Sequence, residues 1–528
     1  MLTRLRNQDM IYKIAIMAIL AFALFLRVFR LTQLPDALHF DEASVGYNAW
    51  CLAHYGVDRY LNKMPVYVQN LSGGQSPLYT YSAALLLKLF GKGNISLFLV
   101  RLPGVIFSML VVIYSSKIVS SIFQSRKITV MCALLITVCP YFFMHGRFAL
   151  DCNLMLGCCL VSLYCLIRYI RSRRLSHLII CGICFGITLY SYAMSYFAIP
   201  IFLCAAALYL LYTRRTSLPQ MIIWAVAVCV TALPIILYIF SLLFQLPPYR
   251  FLCFTIAPIA SYRINDVAAT DFWENIATTI RITLTHGYEP MDSVRKFYTM
   301  YPVSIPFIVI GFFCSIYHFI FSLVRRHFHY SSVMVLFFIS GLIANSMVND
   351  IPRVYRANYF FASYIYFLIL GIVSVYRFLK LYRQLFIGAL ALSYLLWGLS
   401  FYRYYYSVYS VHDLYQYPNV VYLAYAEEPI SFVENELDTK AIYCDYITAT
   451  IYYVFCNPIS PYEFTDRSVD ETECIDRHYF TVNYYTPVAS GNAYIVRKEN
   501  YEFITKLYSS GVEFDRWDYD HYYVFYCR

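Results

Sequence analysis

The stretch Ile14-Ala15-Ile16-Met17-Ala18-Ile19-Leu20-Ala21-Phe22-Ala23-Leu24-Phe25-Leu26, closed by Arg27-Val28-Phe29-Arg30, decides how the chain is read. With the residues before it, it forms an apolar run over 10–30. A helix of roughly 20 such residues crosses a hydrocarbon core about 30 Å thick. The run is too long for a cleavable signal peptide and ends in arginine instead of a small-residue cleavage site, which predicts a signal anchor. Working outward, similar runs stand near 95–120, 128–145, 150–170, 176–191, 194–213, 219–244, 301–324, 330–348, 357–376 and 384–402. They predict a mostly α, polytopic membrane protein with about 11 transmembrane helices. The runs at 176–191 and 194–213 are short and nearly continuous. An odd count puts the two termini on opposite sides.

Composition supports this class. Of 528 residues, 60% are hydrophobic and 14% charged, with a mean hydropathy of +0.55. Soluble domains carry about 25% charged residues, and disorder needs low hydrophobicity with high charge, so both are excluded. The net charge of +10 would suit a nucleic-acid ligand, but its distribution does not. Residues 412–528 hold 8 Lys+Arg and 19 Asp+Glu, whereas 1–411 hold 33 and 12. The basic clusters Arg4/Arg6/Lys13, Arg126/Lys127, Arg168/Arg171/Arg173/Arg174, Arg214/Arg215, Arg325/Arg326 and Arg377/Lys380/Arg383 recur at every second connection. By the positive-inside rule the N-terminus is then cytoplasmic. Of the acidic residues before 411, only Asp9 falls on that side. The expected protein is a multi-pass plasma-membrane protein with the bilayer as a partner and no nucleic acid. Its membrane domain is 1–411, with long outer loops at 31–94 and 246–300.

Residues 412–528 predict a separate extracytoplasmic α/β domain. Lys440–Tyr446, Thr450–Phe455, Ala493–Val496 and Tyr522–Tyr526 read as strands, and Val420–Leu437 and Tyr501–Ser510 as helices. Its four cysteines, Cys444, Cys456, Cys474 and Cys527, allow two disulfides in any of three pairings, or free thiols. No cysteine or histidine spacing suggests zinc.

Chemistry concentrates in the first long loop. Leu38-His39-Phe40-Asp41-Glu42-Ala43-Ser44-Val45-Gly46-Tyr47 follows directly on the first span. Asp41 and Glu42 are the only adjacent carboxylates before residue 411. A carboxylate here suits a general base on an acceptor hydroxyl; it equally suits the first turn of a helix running to about Tyr55. One histidine, His39, beside an acidic pair is a poor metal site, so no metal or cofactor is expected. Trp50 and the loop tyrosines suit either sugar stacking or an interfacial belt. Further on stand Gly73-Gly74-Gln75-Ser76-Pro77-Leu78-Tyr79, Val100-Arg101-Leu102-Pro103-Gly104 and His145-Gly146-Arg147-Phe148-Ala149-Leu150-Asp151. Leu189–Ala193, His286-Gly287-Tyr288 and Arg353–Asn358 follow.

In this order and membrane placement, the motifs resemble the integral-membrane glycosyltransferases of the GT-C fold. The bacterial branch with protein O-mannosyltransferases and the aminoarabinose transferase of lipid A is similar over roughly 10–376. The resemblance implies inverting transfer of a sugar from a polyprenyl-phosphate donor to a hydroxyl of a surface glycan, lipid or protein on the outer face. It implies Asp41 as general base, Glu42 as its brace or acceptor holder, and Asp151 as a second acidic site. The leaving phosphate stays negative and calls for fixed guanidinium groups at the interface. Arg147, Arg356, Arg101 and Arg353 stand at that depth. The bland alternative for Arg101 and Arg147 is snorkelling, or for Arg147 an i,i+4 pair with Asp151.

Two departures stand out. Aminoarabinose transferases place an arginine two residues after the acidic pair, where this chain has Ser44. They place a lysine before Pro-Leu-Tyr, where this chain has Gln75-Ser76. In the second loop, Asp271 with Glu274 predicts a capping box opening an amphipathic helix to Leu284, lying on the membrane surface or serving structure alone. Arg263, Arg281, Arg295 and Lys296 there suit phosphates or lipid headgroups. The alternatives are a transporter or flippase, which would carry charges mid-span, and a non-catalytic envelope assembly protein.

Overall fold

The computed structural model describes residues 2–35, 38–70, 73–259, 271–287, 291–348, 352–408, 427–445, 449–464, 474–519 and 521–528. Arg263, Tyr288 and the start of the Val420–Leu437 helix lie outside them. The chain forms two compact units. One comprises 1–31, 65–82 and 101–407; the other comprises 32–64, 83–100 and 408–528.

The first unit is a helical membrane body. It opens with α1 (Leu2–Val28); α2 (Phe40–Tyr55) belongs to the other unit. After the hairpin β1 (Val68–Asn70) and β2 (Gly73–Gln75) come α3 (Pro77–Phe90), which passes into the other unit at Ala83, α4 (Leu97–Phe123), which returns to this one at Arg101, α5 (Arg126–Val138) and α6 (Pro140–Met144). Next are α7 (Met155–Ser172), α8 (Leu175–Thr188), α9 (Ser195–Tyr212), α10 (Leu218–Leu243), the hairpin β3 (Tyr249–Phe251) and β4 (Phe254–Ile256), and α11 (Phe272–Leu284). The unit closes with α12 (Ile305–Arg325), α13 (Tyr330–Ser346), α14 (Phe360–Phe378) and α15 (Arg383–Tyr404).

Each apolar run contains helix. Among the described residues, eight helices are long and apolar enough to cross a membrane. A ninth is the pair Arg126–Val138 and Pro140–Arg147, bent by 65°. The shorter apolar helices α8 and α13 account for the remaining runs. The bend has a local cause. Pro140 cannot donate to the helix ladder, and Cys139 before it takes an extended conformation (φ −70°, ψ 130°). The run at 128–145 is therefore a broken element, not one straight span.

Helices α12 and α14 approach closely where each carries a glycine. A Cβ on Gly311 would lie 1.8 Å from the Phe367 carbonyl oxygen, and one on Gly371 1.9 Å from that of Phe307. Small residues at such crossings let backbones meet, and van der Waals packing then holds helices together in lipid. In the second long loop, α11 forms as expected, but the Asp271 side chain makes no capping hydrogen bond. The helix is held instead through its flank. Asn345 Nδ2 donates to Thr279 Oγ1 (2.7 Å), and the Thr283 and Tyr364 hydroxyls are 2.9 Å apart.

The second unit joins α2 to a C-terminal α/β domain. That domain contains α16 (Glu427–Glu436), β5 (Ala441–Cys444), α17 (Ala449–Cys456), β6 (Cys474–Ile475), β7 (His478–Tyr479), β8 (Asn492–Arg497), α18 (Tyr501–Ser509), β9 (Phe514–Asp518) and β10 (Tyr522–Cys527). The strands form one sheet in the order β6-β7-β5-β8-β10-β9, with β5 parallel to β7 and β8. Alternate strand residues feed two cores. Ile442, Cys444, Ile495 and Val524 pack with Val433 of α16 on one face. Tyr443, Val496, Phe525 and Cys527 pack with Phe503 and Leu507 of α18 on the other. Cys444 and Cys527 thus face opposite ways as buried thiols, and no disulfide joins them. The segment Thr450–Phe455, strand-like in composition, is instead the helix α17. Its Ile451, Tyr452, Val454 and Phe455 are buried, and packing overrides the weak β preference of the residue types.

Gly371→Val should place a branched side chain against the Phe307 backbone. A cost of about 1–3 kcal/mol is expected for overpacking, read as a lowered melting temperature of the purified protein in detergent.

Candidate active site

The acidic pair sits in the first turn of α2. His39 is the N-cap: its Nδ1 accepts from the Asp41 backbone N–H (3.2 Å), and its own N–H donates to Glu42 Oε2 (3.2 Å). This reciprocal arrangement is a capping box with histidine in the usual serine position. It divides the pair. Glu42 is fully buried, whereas the Asp41 side chain keeps 31% of its surface exposed, with Oδ2 at 3.5 Å from His39 Nδ1. One turn on, the buried Arg59 guanidinium donates to Ser44 Oγ (3.2 Å). Ser44 is the position where the arginine was missing from the sequence pattern, so a guanidinium reaches it from a residue 15 positions later. Asp58 beside it is also buried. Burial pushes its carboxyl above the usual range, opposed by hydrogen bonds from Asn62 and Tyr60 and by the Arg59 charge. Nothing in the local sequence singles out Arg59; only the turn it shares with Asp58 brings it back to α2.

In the membrane unit, the separated motifs converge. Asp151 accepts from the Ser76 N–H through Oδ2 and from the Cys152 N–H through Oδ1, both at 2.8 Å. The Leu78 N–H donates to the Tyr190 carbonyl (3.1 Å), and the Gly104 N–H to the Tyr79 hydroxyl (3.2 Å). The Gly-Gly-Gln-Ser-Pro-Leu-Tyr, Arg-Leu-Pro-Gly, Arg147–Asp151 and Leu189–Ala193 stretches therefore meet at the start of α3. Asp151 satisfies an amide just ahead of that helix, where a negative charge complements the helix dipole.

The arginines divide into two groups. Arg147 is wholly buried and caps α1. Its Nη1 donates to the carbonyls of Leu26 and Arg27 (3.0 Å each), and its Nη2 to those of Phe29 (2.9 Å) and Arg30 (3.1 Å). It also lies over the rings of Phe143 and Tyr405, at 5.3 and 5.8 Å. Arg101, equally buried, donates to the Leu31 carbonyl (2.9 Å). Arg27 is a third buried guanidinium, on Ser108 Oγ (2.6 Å), the Ala23 carbonyl (3.1 Å) and the Phe142 carbonyl (3.3 Å). In the second group, Arg353 is the N-cap of the 3-10 turn Val354–Ala357 before α14, and Arg356 lies within that turn. Asn358, next after that turn, donates through Nδ2 to the carbonyl of Cys152, the neighbour of Asp151.

Behind that turn lies a pair the sequence reading did not name. His145 Nε2 stands 3.3 Å from Asp292 Oδ1, and Asp292 is completely buried. Burial raises its carboxyl above the usual range, opposed by His145. A Cβ on Gly287 would come within 2.9 Å of Asp292 Oδ2 and of Val354 Cγ2. Only glycine fits there, which accounts for the His286-Gly287 motif. The acidic pair belongs to one compact unit; Asp151, Arg147, Arg101, Arg353 and Arg356 belong to the other.

Comparison with known proteins gives three findings. Residues 74–240 match the family model described as dolichyl-phosphate-mannose-protein mannosyltransferase, a segment well under half of the chain. No curated protein matches the chain by sequence. The fold matches the crystal structure of ArnT from Cupriavidus metallidurans in the apo state, with TM-score 0.54 and 11% identity over 99% of this chain and 98% of that chain. The same protein bound to undecaprenyl phosphate matches with TM-score 0.51 and 12% identity over 98% of each chain. The archaeal oligosaccharyltransferase AglB from Archaeoglobus fulgidus, in complex with an inhibitory peptide and a dolichol-phosphate, matches with TM-score 0.50 and 11% identity. That match covers 85% of this chain but 64% of AglB, so the chain spans less than two thirds of the archaeal protein's length. The chain is thus a multi-pass membrane protein of the GT-C glycosyltransferase fold, with a sheet-containing C-terminal domain.

Proposed function

We propose that the protein is an inverting glycosyltransferase that moves a sugar from a polyprenyl-phosphate donor to a hydroxyl of a surface glycan, lipid or protein, outside the plasma membrane. In this reading the N-terminus is cytoplasmic and the C-terminal domain extracytoplasmic. The observation that carries it is the division of labour in the acidic pair. Glu42 is spent on the capping box and buried, while Asp41 retains solvent access at a position directly after the first span. Support comes from the GT-C fold and from the ArnT complex with undecaprenyl phosphate.

Asp41 takes the proton from the acceptor hydroxyl as its oxygen attacks the anomeric carbon. The new carbon–oxygen bond forms on the face opposite the leaving group, hence inversion. The bond from that carbon to the phosphate oxygen breaks, and its electron pair leaves with the polyprenyl phosphate. Arg356 and Arg353 hold the departing phosphate, on the turn that Asn358 ties to Cys152 beside Asp151. Arg147 and Arg101 act one step removed, because the donors described above are committed to carbonyls at the end of α1 and just beyond it; they fix the framework instead of gripping the sugar donor. Asp151 likewise fixes the start of α3.

Asp41→Asn should insert and fold normally but lose about 10²–10⁴-fold in transfer rate. The check is mass spectrometry of surface glycans in a strain whose own copy is deleted and replaced by the variant; glycans at the parental level would remove Asp41 as base. Arg356→Glu should weaken binding of undecaprenyl phosphate to the purified protein, and an unchanged affinity would take Arg356 out of the phosphate site. Arg147→Met should instead lower the melting temperature. The loss should be at least that of one charge-assisted hydrogen bond, about 1.5–3 kcal/mol.

A further inference from the structure

The C-terminal domain shares a compact unit with the helix that carries Asp41. Most of a helix's stability in a protein comes from what packs against it. Every residue from Glu42 to Leu52 is buried, so the direction of its first turn is set by what packs around it. Three contacts from the C-terminal domain act along its length. Ahead of the N-cap, the Tyr452 hydroxyl donates to the Leu38 carbonyl (3.3 Å). At the middle, the Phe455 ring lies against Gly46 so closely that a Cβ there would be 2.4 Å from Phe455 Cε2. Beside it, the Tyr47 hydroxyl donates to the Ile459 carbonyl (2.8 Å).

The helix α17 that makes two of these contacts is itself seated on the sheet. Tyr453, next to Tyr452, packs on the His478 ring (centroids 4.6 Å apart) and on Phe480 (5.6 Å). Tyr453 thereby joins the core formed by Ile442, Ile495 and Val524. A continuous packed path therefore runs from the sheet through α17 to the backbone just before the acidic pair. Close-packed interiors transmit displacement, because they have few voids to absorb it.

We propose that the C-terminal domain is the positioning element for Asp41, with Phe455 and Tyr452 setting the place of α2. The proposal rests on Asp41 being the base. Phe455 and Tyr452 are positioning residues; they touch neither donor nor acceptor. A misplacement of about 1 Å at a reacting group can cost about 10²-fold in rate, so contacts of this kind act on turnover before they act on folding.

The test is a rescue pair in the full-length protein. Gly46→Ala pushes a methyl group into the Phe455 ring, and Phe455→Leu makes room for it. Gly46→Ala should lower surface glycan modification by about 10-fold or more, at normal expression and with unchanged undecaprenyl phosphate binding. The double variant Gly46→Ala with Phe455→Leu should recover most of the loss. Tyr452→Phe, which deletes only the hydroxyl, should speed hydrogen–deuterium exchange in 38–45. Asp41→Asn runs alongside. If Asp41→Asn abolishes modification while Gly46→Ala leaves it at the wild-type level, the positioning role is overturned and the base assignment stands. If Gly46→Ala lowers activity only in proportion to folded protein, or the double variant fails to recover, the role is likewise overturned. If Asp41→Asn is fully active, the functional reading itself fails.

Discussion

The membrane body depends on how the first helix ends. Its terminal carbonyls have no partners within the helix, and here they meet a buried guanidinium. Arg147 supplies four hydrogen bonds to carbonyls of residues 26–30 in one planar fork. A lysine ammonium could not span that set, and the positive charge also opposes the negative end of the helix dipole. A buried charge is costly unless it is well hydrogen-bonded. Both terminal nitrogens of Arg147 are satisfied in place, which fixes the end of α1. Arg101 adds a bond to the Leu31 carbonyl, just before the chain passes on to the acidic pair.

A second constraint works with backbone atoms. Asp151, Tyr190 and Tyr79 bind main-chain groups of Ser76, Leu78 and Gly104. Motifs that lie up to 112 residues apart in sequence, as Leu78 and Tyr190 do, are thereby knotted by hydrogen bonds to peptide groups. Peptide groups must be paired when buried, and the Asp151 carboxylate, the Tyr79 hydroxyl and the Tyr190 backbone carbonyl supply the partners here. The motifs that resemble GT-C enzymes are, in this body, largely the fasteners of the fold. In the proposed reaction the phosphate falls to Arg353 and Arg356, on the turn before α14.

Much of this was legible in the sequence. The apolar runs marked the helices because span length follows from membrane thickness and helix rise alone. The helix over 40–55 was legible from Asp41-Glu42, since acidic residues favour a first turn; that His39 caps it was not. The break at Pro140 was present in the residue type, yet hydropathy over a window does not register it. Less could be read where one residue has two possible partners. Arg147 and Asp151 stand four apart, the spacing of an ion pair, but each is drawn to backbone groups far away in the chain. Arg59 was invisible because no local pattern connects it with Ser44. The helix over 449–456 was read as a strand, since β-branched and aromatic residues suit both when packing is unknown.

Sequence alone determined the membrane character, the helical content, the presence of an acidic α/β tail and the isolation of Asp41 and Glu42 as a carboxylate pair. These follow from local composition and period, which a linear reading contains in full. Tertiary structure decided which carboxylate of the pair stays exposed, which arginines hold helix ends and which stand beside the acidic turn. It also decided that the tail and the acid-bearing helix form one compact unit. The physical reason is that hydrogen-bond partners and buried contacts are choices among residues distant in sequence, made only when the chain closes on itself.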